Sequence, residues 1–210
     1  MSEDTRAEKV DNKNAKPLDP DAMYQELEKK ITDSGAKMDT ARIRAAYEMT
    51  RDAHAGQLRK DGSPYVTHCV AAAEIAQEMG LDEDSIVASL LHDVIEDTTL
   101  GYDDIAKKFG GTVADLVEGV TKLTRVQYTS KEDEQMENMR KMLLAMTKDI
   151  RVIMIKIADR MHNMRTMAYQ SEEKQRAKSL ETMEIYAPLA HRLGMQKAKW
   201  ELGTWPCCIW

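Results

Sequence analysis

Apolar residues recur with helical spacing in the segment that begins at Ile150. Asp159 interrupts this apolar run, and Asn163 and Thr166 follow it at i+4 and i+7, so these three polar side chains share one helix face. The segment therefore predicts an amphipathic helix that presents polar groups to a common site. The apolar positions, at i, i+3, i+4, i+7, i+8 and i+11, are Ile150, Ile153, Met154, Ile157, Ala158 and Met161.

The composition extends this helical character to the whole chain. Helix formers dominate, 15 Met stand against one Phe, and 5 Pro and 10 Gly interrupt 210 residues. This usage is typical of an all-α protein with one main domain. Helices are predicted near 21–33, 40–55, 67–79, 83–97, 103–109, 112–124, 131–147, 149–168 and 172–202.

The predicted domain organisation has four parts. Residues 1–20 are polar and charged and predict a disordered tail, and residues 21–170 form the main domain. Residues 171–202 are interpreted as linking helices. Residues 203–210 form an atypical tail, because they hold two of the three Trp and two of the three Cys residues.

The charge and the termini exclude several classes of function. A net charge of −6 and a pI near 5.5 oppose a broad electrostatic footprint for nucleic acid, so no direct DNA binding is expected. The chain shows no signal-peptide pattern and no apolar run long enough for a membrane span. We expect a cytoplasmic protein with no membrane partner, and the spacing of the cysteines fits a reducing compartment.

The doublet His92–Asp93 lies inside the apolar run 87–95. The predicted helix 83–97 would place Asp93 in mid-helix among Leu and Val. An ionisable pair there needs a partner that compensates for the lost hydration, and a divalent cation does this for both groups. The doublet therefore predicts a metal site.

Two further residues break their local apolar patterns in the same way. His68 opens the apolar stretch 70–76, and Asp159 interrupts the helix described above. With His92 and Asp93 they form a set of two imidazoles and two carboxylates. Such a set suits manganese, iron, cobalt or zinc better than calcium, and it leaves room for water.

Two carboxylates follow the doublet at one helical turn. Glu96 is i+4 from His92, and Asp97 is i+4 from Asp93. A carboxylate one turn beyond a metal ligand can lie over a metal-bound water and act as a base. This spacing is typical of a metal-assisted hydrolase.

These motifs resemble the metal-dependent HD phosphohydrolases, and more closely the hydrolase domain of the RelA/SpoT homologue family, the bifunctional guanosine tetraphosphate hydrolase/synthetases. The resemblance runs through roughly 40–202. It implies an HD-domain helical bundle over 21–170, with additional C-terminal helices. The strings that carry it are Gly56–His68, Leu91–Thr98, Gly119–Thr124, Asn138–Met146 and Ile157–Thr166.

The resemblance also implies a reaction, namely hydrolysis of the 3′-diphosphate of guanosine tetra- or pentaphosphate to GDP or GTP and pyrophosphate, as in alarmone turnover. Glu96 and Asp97 match the pair that activates or positions water. By the same matching, the Mn2+ ligands are His68, His92, Asp93 and Asp159, and the nucleotide contacts are Arg59, Lys60, Asn163 and Thr166.

Several of these residues also have a purely structural explanation. Arg59 and Lys60 could form a solvated turn, and Asn163 and Thr166 are helix-surface residues by default. His162 follows Asp159 by three residues and is a candidate to hold Asp159 or a phosphate from the second coordination shell. His54 and His191 are expected to be structural.

Other functions stay open at this level. The resemblance stops after Leu202, before the synthetase domain of the long family members, so no synthetase activity is expected. A nucleotide-binding regulatory module without turnover is one alternative, and hydrolysis of another nucleotide such as NADPH is a second. Met and Leu side chains in the final helix would lack a partner without the next domain, and a homodimer is one expected way of covering them.

Overall fold

The structure, a computed structural model, describes residues 18–124 and 148–204. These residues form helices and no strands, apart from an isolated antiparallel bridge between Leu58 and Pro64, which confirms the predicted all-α class. The helices are α1 Pro20–Asp33, α2 Thr40–Ala53, α3 Val66–Glu78, α4 Glu83–Leu91, α5 Val94–Asp97, α6 Tyr102–Phe109, α7 Gly111–Thr124, α8 Ile150–Arg165, α9 Glu172–Glu181, α10 Ala187–Arg192 and α11 Gln196–Thr204.

Aspartate side chains begin four of these helices. Asp19, Asp39, Asp82 and Asp149 each accept a backbone hydrogen bond from the first turn of α1, α2, α4 and α8. Such a cap satisfies an N–H group that has no partner within the helix, and its loss typically costs about 1 kcal/mol. The cap at Asp149 fixes where α8 begins, and α8 carries the polar face predicted above.

The helices α3 and α4 lie at the centre of the fold. Nearly every residue of α3 and every residue from Ser85 to Leu91 in α4 is buried. A helix that is apolar all round has to be covered by other helices on every side. One apolar cluster joins α3 and α4 to α1, α2, α6 and α7, and a second joins α3 and α8 to the C-terminal helices.

The prediction of one helix over 83–97 is wrong, because the chain breaks at His92 and Asp93. Asp93 is not a mid-helix residue; it is the residue before α5 and has φ −94° and ψ −7°. The His92 Nδ1 atom lies 2.7 Å from the Ser89 carbonyl oxygen, and the Asp93 carboxylate accepts a hydrogen bond from Tyr65. A local contact to the preceding turn thus holds the His92 ring, and a contact from a distant part of the sequence holds the Asp93 side chain where the helix bends.

The prediction of one helix over 172–202 is also wrong. Helix α10 ends at Arg192, Leu193 caps it, and Gly194 has a φ of +71°. The Gly194 N–H donates to the His191 carbonyl and the Met195 N–H donates to the Ala190 carbonyl, which is the Schellman pattern of a helix end. A new helix, α11, then packs back on the second apolar cluster.

A widened turn of π type, Thr182–Tyr186, joins α9 to α10. Pro188 follows it, and a proline can neither donate a backbone hydrogen bond nor fit against the carbonyl four residues earlier in a regular helix. That carbonyl belongs to Glu184, which lies inside the widened turn. The turn directs Ile185 and Tyr186 into the protein interior.

Three predictions fall wholly or largely outside the described residues, namely the tail over 1–20, the helix near 131–147 and the end of the chain from 205. Within the part that the structure describes, no helix has both the length and the hydropathy of a membrane span.

Candidate metal centre

The structure brings the four predicted ligand residues together from three places in the chain. The Nε2 atom of His68 lies 3.2 Å from Asp159 Oδ1 and 3.5 Å from Asp93 Oδ2. The Nε2 atom of His92 lies 3.2 Å from Asp93 Oδ2 and 3.8 Å from Asp159 Oδ1. Helices α3 and α8 and the break between α4 and α5 thus direct two nitrogen and two oxygen donors at one point.

The hydrogen bonds of His92 define which of its ring nitrogens is available. A carbonyl oxygen only accepts, so the Nδ1 atom donates its hydrogen to Ser89. The Nε2 atom is buried and makes no hydrogen bond to the described residues. Burial lowers the pKa of His92, but the carboxylates of Asp93 and Asp159 and the Ser89 carbonyl together outweigh it and raise the pKa to about 9. Nε2 is therefore the atom at which a proton or a metal ion binds.

His68 is oriented by a second imidazole. Its Nδ1 atom lies 2.7 Å from the Nδ1 atom of His162. Burial lowers the pKa of both rings, and for His162 the neighbouring His68 adds to the effect. Since both rings are then neutral, one Nδ1 donates and the other accepts. Donation from His68 leaves its Nε2 lone pair directed at Asp93 and Asp159.

Both carboxylates of the set are ionised. Burial opposes this, but the charge of His92 holds the pKa of Asp93 below its usual range, and the charge of Lys156 does the same for Asp159. Lys156 Nζ lies 2.7 Å from Asp159 Oδ2, and the Asn163 amide donates to Oδ1 at 2.5 Å. Asp159 is thus oriented through both of its oxygens.

The donor set fits a divalent cation of the first transition row. Donor atoms of the buried residues His68, His92 and Asp159 all lie within 4.8 Å of one another, and Asp93 Oδ2 lies beside both imidazoles. Mixed imidazole and carboxylate ligands suit manganese, iron or zinc. Cys69 is also near, but burial raises the pKa of its thiol well above the usual value, so it stays protonated and is a poor ligand.

The two carboxylates predicted to act on water lie beside this centre. The backbone N–H groups of Glu96 and Asp97 both donate to the Asp93 carbonyl, at 3.1 and 2.9 Å. This short turn holds both residues close to the metal-ligand candidates. The Tyr65 hydroxyl lies 3.0 Å from Asp97 Oδ2 and 2.9 Å from Asp93 Oδ2.

A cavity of about 540 Å³ opens onto the centre. The candidate ligands His68, Asp93 and Asp159 line it, and so do Glu96 and Asp97. Its cationic lining residues are Lys156, Arg160, Lys174 and Lys178, of which two come from α9. The cavity therefore joins a cluster of acidic residues to a basic wall, as a phosphorylated ligand with a bound cation requires.

The predicted nucleotide contacts are only partly brought together. An Arg59 guanidinium nitrogen lies 3.0 Å from Thr166 Oγ1 and 3.5 Å from Asn163 Oδ1. Asn163 and Thr166 line the cavity, and Arg59 lies at its edge through these contacts. Lys60 is exposed and is not among the lining residues.

Several residues of the site were missed in the sequence. Tyr65 precedes His68 by three residues, a spacing that places both on one side of a helix start, and this was the available signal. By contrast, the sequence already predicts Lys156 on the polar face of α8, one turn before Asp159. Lys174 and Lys178 share one helix face by their i, i+4 spacing, but nothing in the local sequence shows that this face lies toward the cavity.

The family comparison covers most of the chain. A family model described as HD domain matches residues 46–196. A solved structure described as a metazoan ortholog of SpoT that hydrolyzes ppGpp and plays a role in starvation responses is 25% identical, with a TM-score of 0.57. It covers 83% of this chain, and this chain covers 96% of it.

The curated relatives are more similar in sequence but much longer. The bifunctional (p)ppGpp synthase/hydrolase SpoT of Escherichia coli K12 is 55% identical over 161 residues, 77% of this chain and 23% of the relative. The guanosine-3′,5′-bis(diphosphate) 3′-pyrophosphohydrolase of Haemophilus influenzae is 51% identical over 73% of this chain and 23% of its own. A GTP pyrophosphokinase of Streptomyces coelicolor is 48% identical over 90% and 22%. The chain thus spans less than a quarter of the length of these relatives.

Proposed function

The chain belongs to the HD domain family, and on that premise we propose that it hydrolyses the 3′-diphosphate of guanosine tetra- or pentaphosphate with the help of a bound divalent metal. The single observation that carries the proposal is the convergence of His68, His92, Asp93 and Asp159 beside Glu96 at an open cavity. The relatives and the solved structure whose names describe ppGpp hydrolysis support the choice of substrate.

The four converging residues are the proposed metal ligands, and the proposed metal is Mn2+. The buried Nε2 atom of His92 faces the carboxylates of Asp93 and Asp159 at 3.2 and 3.8 Å, which supports this assignment, because one cation between them satisfies the imidazole and both carboxylates. A bound metal ion would supply Lewis-acid stabilisation of the phosphate charge and would lower the pKa of water. Lys156, Asn163 and His162 hold the ligand side chains in place.

Glu96 and Asp97 are the proposed residues that act on the attacking water. Both lie in the cavity, one turn beyond the metal-ligand candidates, and Asp97 is more exposed than Glu96. Glu96 takes the proton from the water, and Asp97 helps to orient that water. Both roles depend on short distances, which the four-residue helix α5 fixes.

The basic wall supports a highly anionic substrate. Lys174 and Lys178 of α9 and Arg160 of α8 face the same cavity as the metal-ligand candidates. The chain carries a net charge of −6, and a local cluster of cations favours the approach of a molecule with two diphosphate groups, although Glu181 pairs with Arg160 and Lys178 and offsets part of that charge. Arg59, Lys60, Asn163 and Thr166 are the proposed contacts to the guanosine.

The proposed reaction is a hydrolysis that balances without a further reactant. Water adds to the phosphorus that is attached to the ribose O3′ atom, and the bond between that phosphorus and O3′ breaks. Glu96 receives the proton that the water loses, and the leaving O3′ atom gains one proton from solvent. Glu96 returns its proton to solvent, so the sum of the step is the addition of one water. The products are pyrophosphate and GDP from the tetraphosphate, or GTP from the pentaphosphate.

The test is pyrophosphate release from guanosine tetraphosphate by the purified chain with Mn2+. We expect Asp93→Ala and Glu96→Ala each to lower the rate by at least 100-fold, while Glu26→Ala, an exposed carboxylate on α1, leaves it unchanged. Asp93→Ala should also weaken Mn2+ binding, and Glu96→Ala should not. If the unmutated chain binds Mn2+ and nucleotide but releases no pyrophosphate, the protein is a binding module. If it releases phosphate from NADPH but no pyrophosphate from guanosine tetraphosphate, NADPH is its substrate.

A further inference from the structure

The phenol of Tyr65 lies between two carboxylates of the site. Its hydroxyl is 2.9 Å from Asp93 Oδ2 and 3.0 Å from Asp97 Oδ2. The same Asp93 oxygen faces the Nε2 atoms of His68 and His92. Tyr65 therefore contacts a proposed metal ligand and a proposed water-positioning carboxylate at once.

The Tyr65 ring is held by contacts of its own. It stacks on the buried ring of His54, with 4.7 Å between the centroids and 22° between the planes. Its backbone N–H donates to the Gln57 carbonyl at 3.0 Å, and the bridge between Leu58 and Pro64 closes the loop in between. Because both the ring and the main chain of Tyr65 are held, its hydroxyl can position the groups that it contacts.

The carboxylate of Asp97 needs such a tether. Asp97 is the last residue of a four-residue helix and is exposed, so packing alone leaves its side chain several rotamers. The same loop also holds the backbone of Asp97, because Gln57 Nε2 donates to the Asp97 carbonyl at 3.3 Å. The loop thus contacts Asp97 through both its main chain and its side chain.

We propose that Tyr65 is a positioning residue, whose hydroxyl fixes the Asp97 carboxylate relative to Asp93 and thereby relative to the metal and the attacking water. The hydroxyl has one hydrogen, so it donates to one carboxylate at a time, and either donation orders the pair. This inference rests on the proposed function. It also links catalysis to substrate binding, because the loop that ends at Tyr65 carries Arg59, which contacts Thr166.

The experiment compares Tyr65→Phe with Tyr102→Phe. Phenylalanine keeps the stack on His54 and loses only the hydroxyl. Tyr102 is a matched control, since its hydroxyl also bonds a carboxylate, Asp115, at 2.9 Å, away from the metal-ligand candidates. Melting temperature, Mn2+ affinity by calorimetry, and kcat and KM at saturating Mn2+ are measured for both variants and for the unmutated chain.

Tyr65→Phe is expected to lower kcat by about 10- to 100-fold at saturating Mn2+ and to weaken Mn2+ binding by about tenfold, the usual cost of losing a group that orients a ligand. KM should change less than twofold, and Tyr102→Phe should match the unmutated chain. A kcat within twofold of the unmutated value overturns the proposal. So does a loss that excess Mn2+ fully restores, because Tyr65 would then act on Asp93 alone.

Failure of the proposed function is distinguishable from failure of this inference. If the unmutated chain binds Mn2+ but releases no pyrophosphate, the hydrolase assignment fails, and the affinity comparison still tests Tyr65. In that case the Mn2+ dissociation constants of Tyr65→Phe and the unmutated chain are compared. A difference of less than twofold would show that the contact between Tyr65 and Asp93 does not position the metal ligand.

Discussion

Two imidazoles of the site are oriented in different ways, and the difference sets how each responds to mutation. His92 donates to a backbone carbonyl, which no substitution can remove, whereas His68 depends on the side chain of His162. A neutral imidazole with its Nδ1 hydrogen held elsewhere directs its Nε2 lone pair at a metal. The orientation of His68 can therefore be disturbed by mutation of His162. The sequence predicts a different contact for His162, to Asp159 or to a phosphate.

Replacement of His162 tests this dependence. His162→Phe keeps a ring of similar size and removes the nitrogen that pairs with His68. We expect Mn2+ affinity to fall by about 10- to 100-fold, as measured by calorimetry, with a smaller loss of kcat once Mn2+ is saturating. His191→Phe is the control, because His191 is exposed on α10. Unchanged Mn2+ affinity in His162→Phe would mean that His68 is oriented by packing alone.

At the scale of the elements, the position of α8 matters most, because α8 carries Asp159 and Lys156. It packs against α7 at Gly119, where an added Cβ atom would lie 2.9 Å from Val152 Cγ2 and 3.2 Å from Val152 Cγ1. Val152 is buried in the first apolar cluster, so its side chain has little room to move. The close approach of the two helices therefore depends on glycine.

Gly119→Ala is expected to lower the free energy of unfolding by about 1–3 kcal/mol through overpacking. Gly111→Ala, where an added Cβ meets nothing within 4 Å, should stay within about 1 kcal/mol of the unmutated chain. Urea unfolding of both variants provides the measurement. The double variant Gly119→Ala/Val152→Ala should lose less than the sum of the single losses, and strict additivity would show that the two residues do not compete for space.

The contact between α8 and α9 predicts a pH dependence. Arg160 lies 2.9 Å from Glu181 Oε1; burial opposes ionisation of Glu181, but the charge of Arg160 holds its pKa below the usual value of 4.5. A carboxyl whose pKa is lower in the folded state stabilises the fold above its unfolded pKa, and this stabilisation is lost as the pH falls through the folded value.

Glu181→Gln should therefore lower the free energy of unfolding at pH 7 by about 1–3 kcal/mol. The difference from the unmutated chain should shrink as the pH falls below the usual value of 4.5 and through the lower folded pKa. Denaturant titrations at pH 7, 5 and 3.5 measure it, with Glu173→Gln as the exposed control. A difference that is the same at all three pH values would mean that the charge of Glu181 contributes nothing to the packing of α9.

The elements differ in how far the sequence predicts them. The amphipathic pattern from Ile150 predicts α8 closely, and the residues on its polar face do converge, because helix geometry alone relates Asp159 to Asn163. The break at His92 and Asp93 is not marked by a glycine or a proline, and the contact that holds Asp93 comes from Tyr65, far away in the sequence. The break at Gly194 has a local signal in the sequence, because glycine is common at the residue after a helix end. Sequence spacing thus predicts neighbours on one element, and tertiary contacts decide the rest.

At the scale of the whole molecule, the site lies between two apolar clusters that are built from different parts of the chain. Helices α3 and α8 belong to both, and the second cluster is completed by Ile185, Tyr186 and Leu202. Tyr186 also lines the cavity, and its ring lies 4.3 Å from the Arg160 guanidinium. The segment after residue 170, interpreted from the sequence as linking helices, therefore contributes to the site as well as to the core.

Truncation tests this contribution. A chain that ends at residue 170 loses Ile185, Tyr186 and the lysines of α9, so Ile157 and Met161 on α8 become exposed. Exposed apolar faces of this kind favour aggregation or a loosely packed state. We expect this chain to lose cooperative thermal unfolding, measured by circular dichroism, and to lose nucleotide binding.

A chain that ends at residue 194 separates the two contributions of the C-terminal segment. It loses α11, and with it Ala198 and Leu202, but it keeps the basic wall, Tyr186 and the contact between Arg160 and Glu181. It should melt at a lower temperature than the full chain and still bind nucleotide, because the missing helix lines none of the cavity. If the chain ending at 170 melts cooperatively and binds nucleotide as tightly as the full chain, then the cavity is complete without α9. In that case Lys174 and Lys178 lie beside the substrate without holding it.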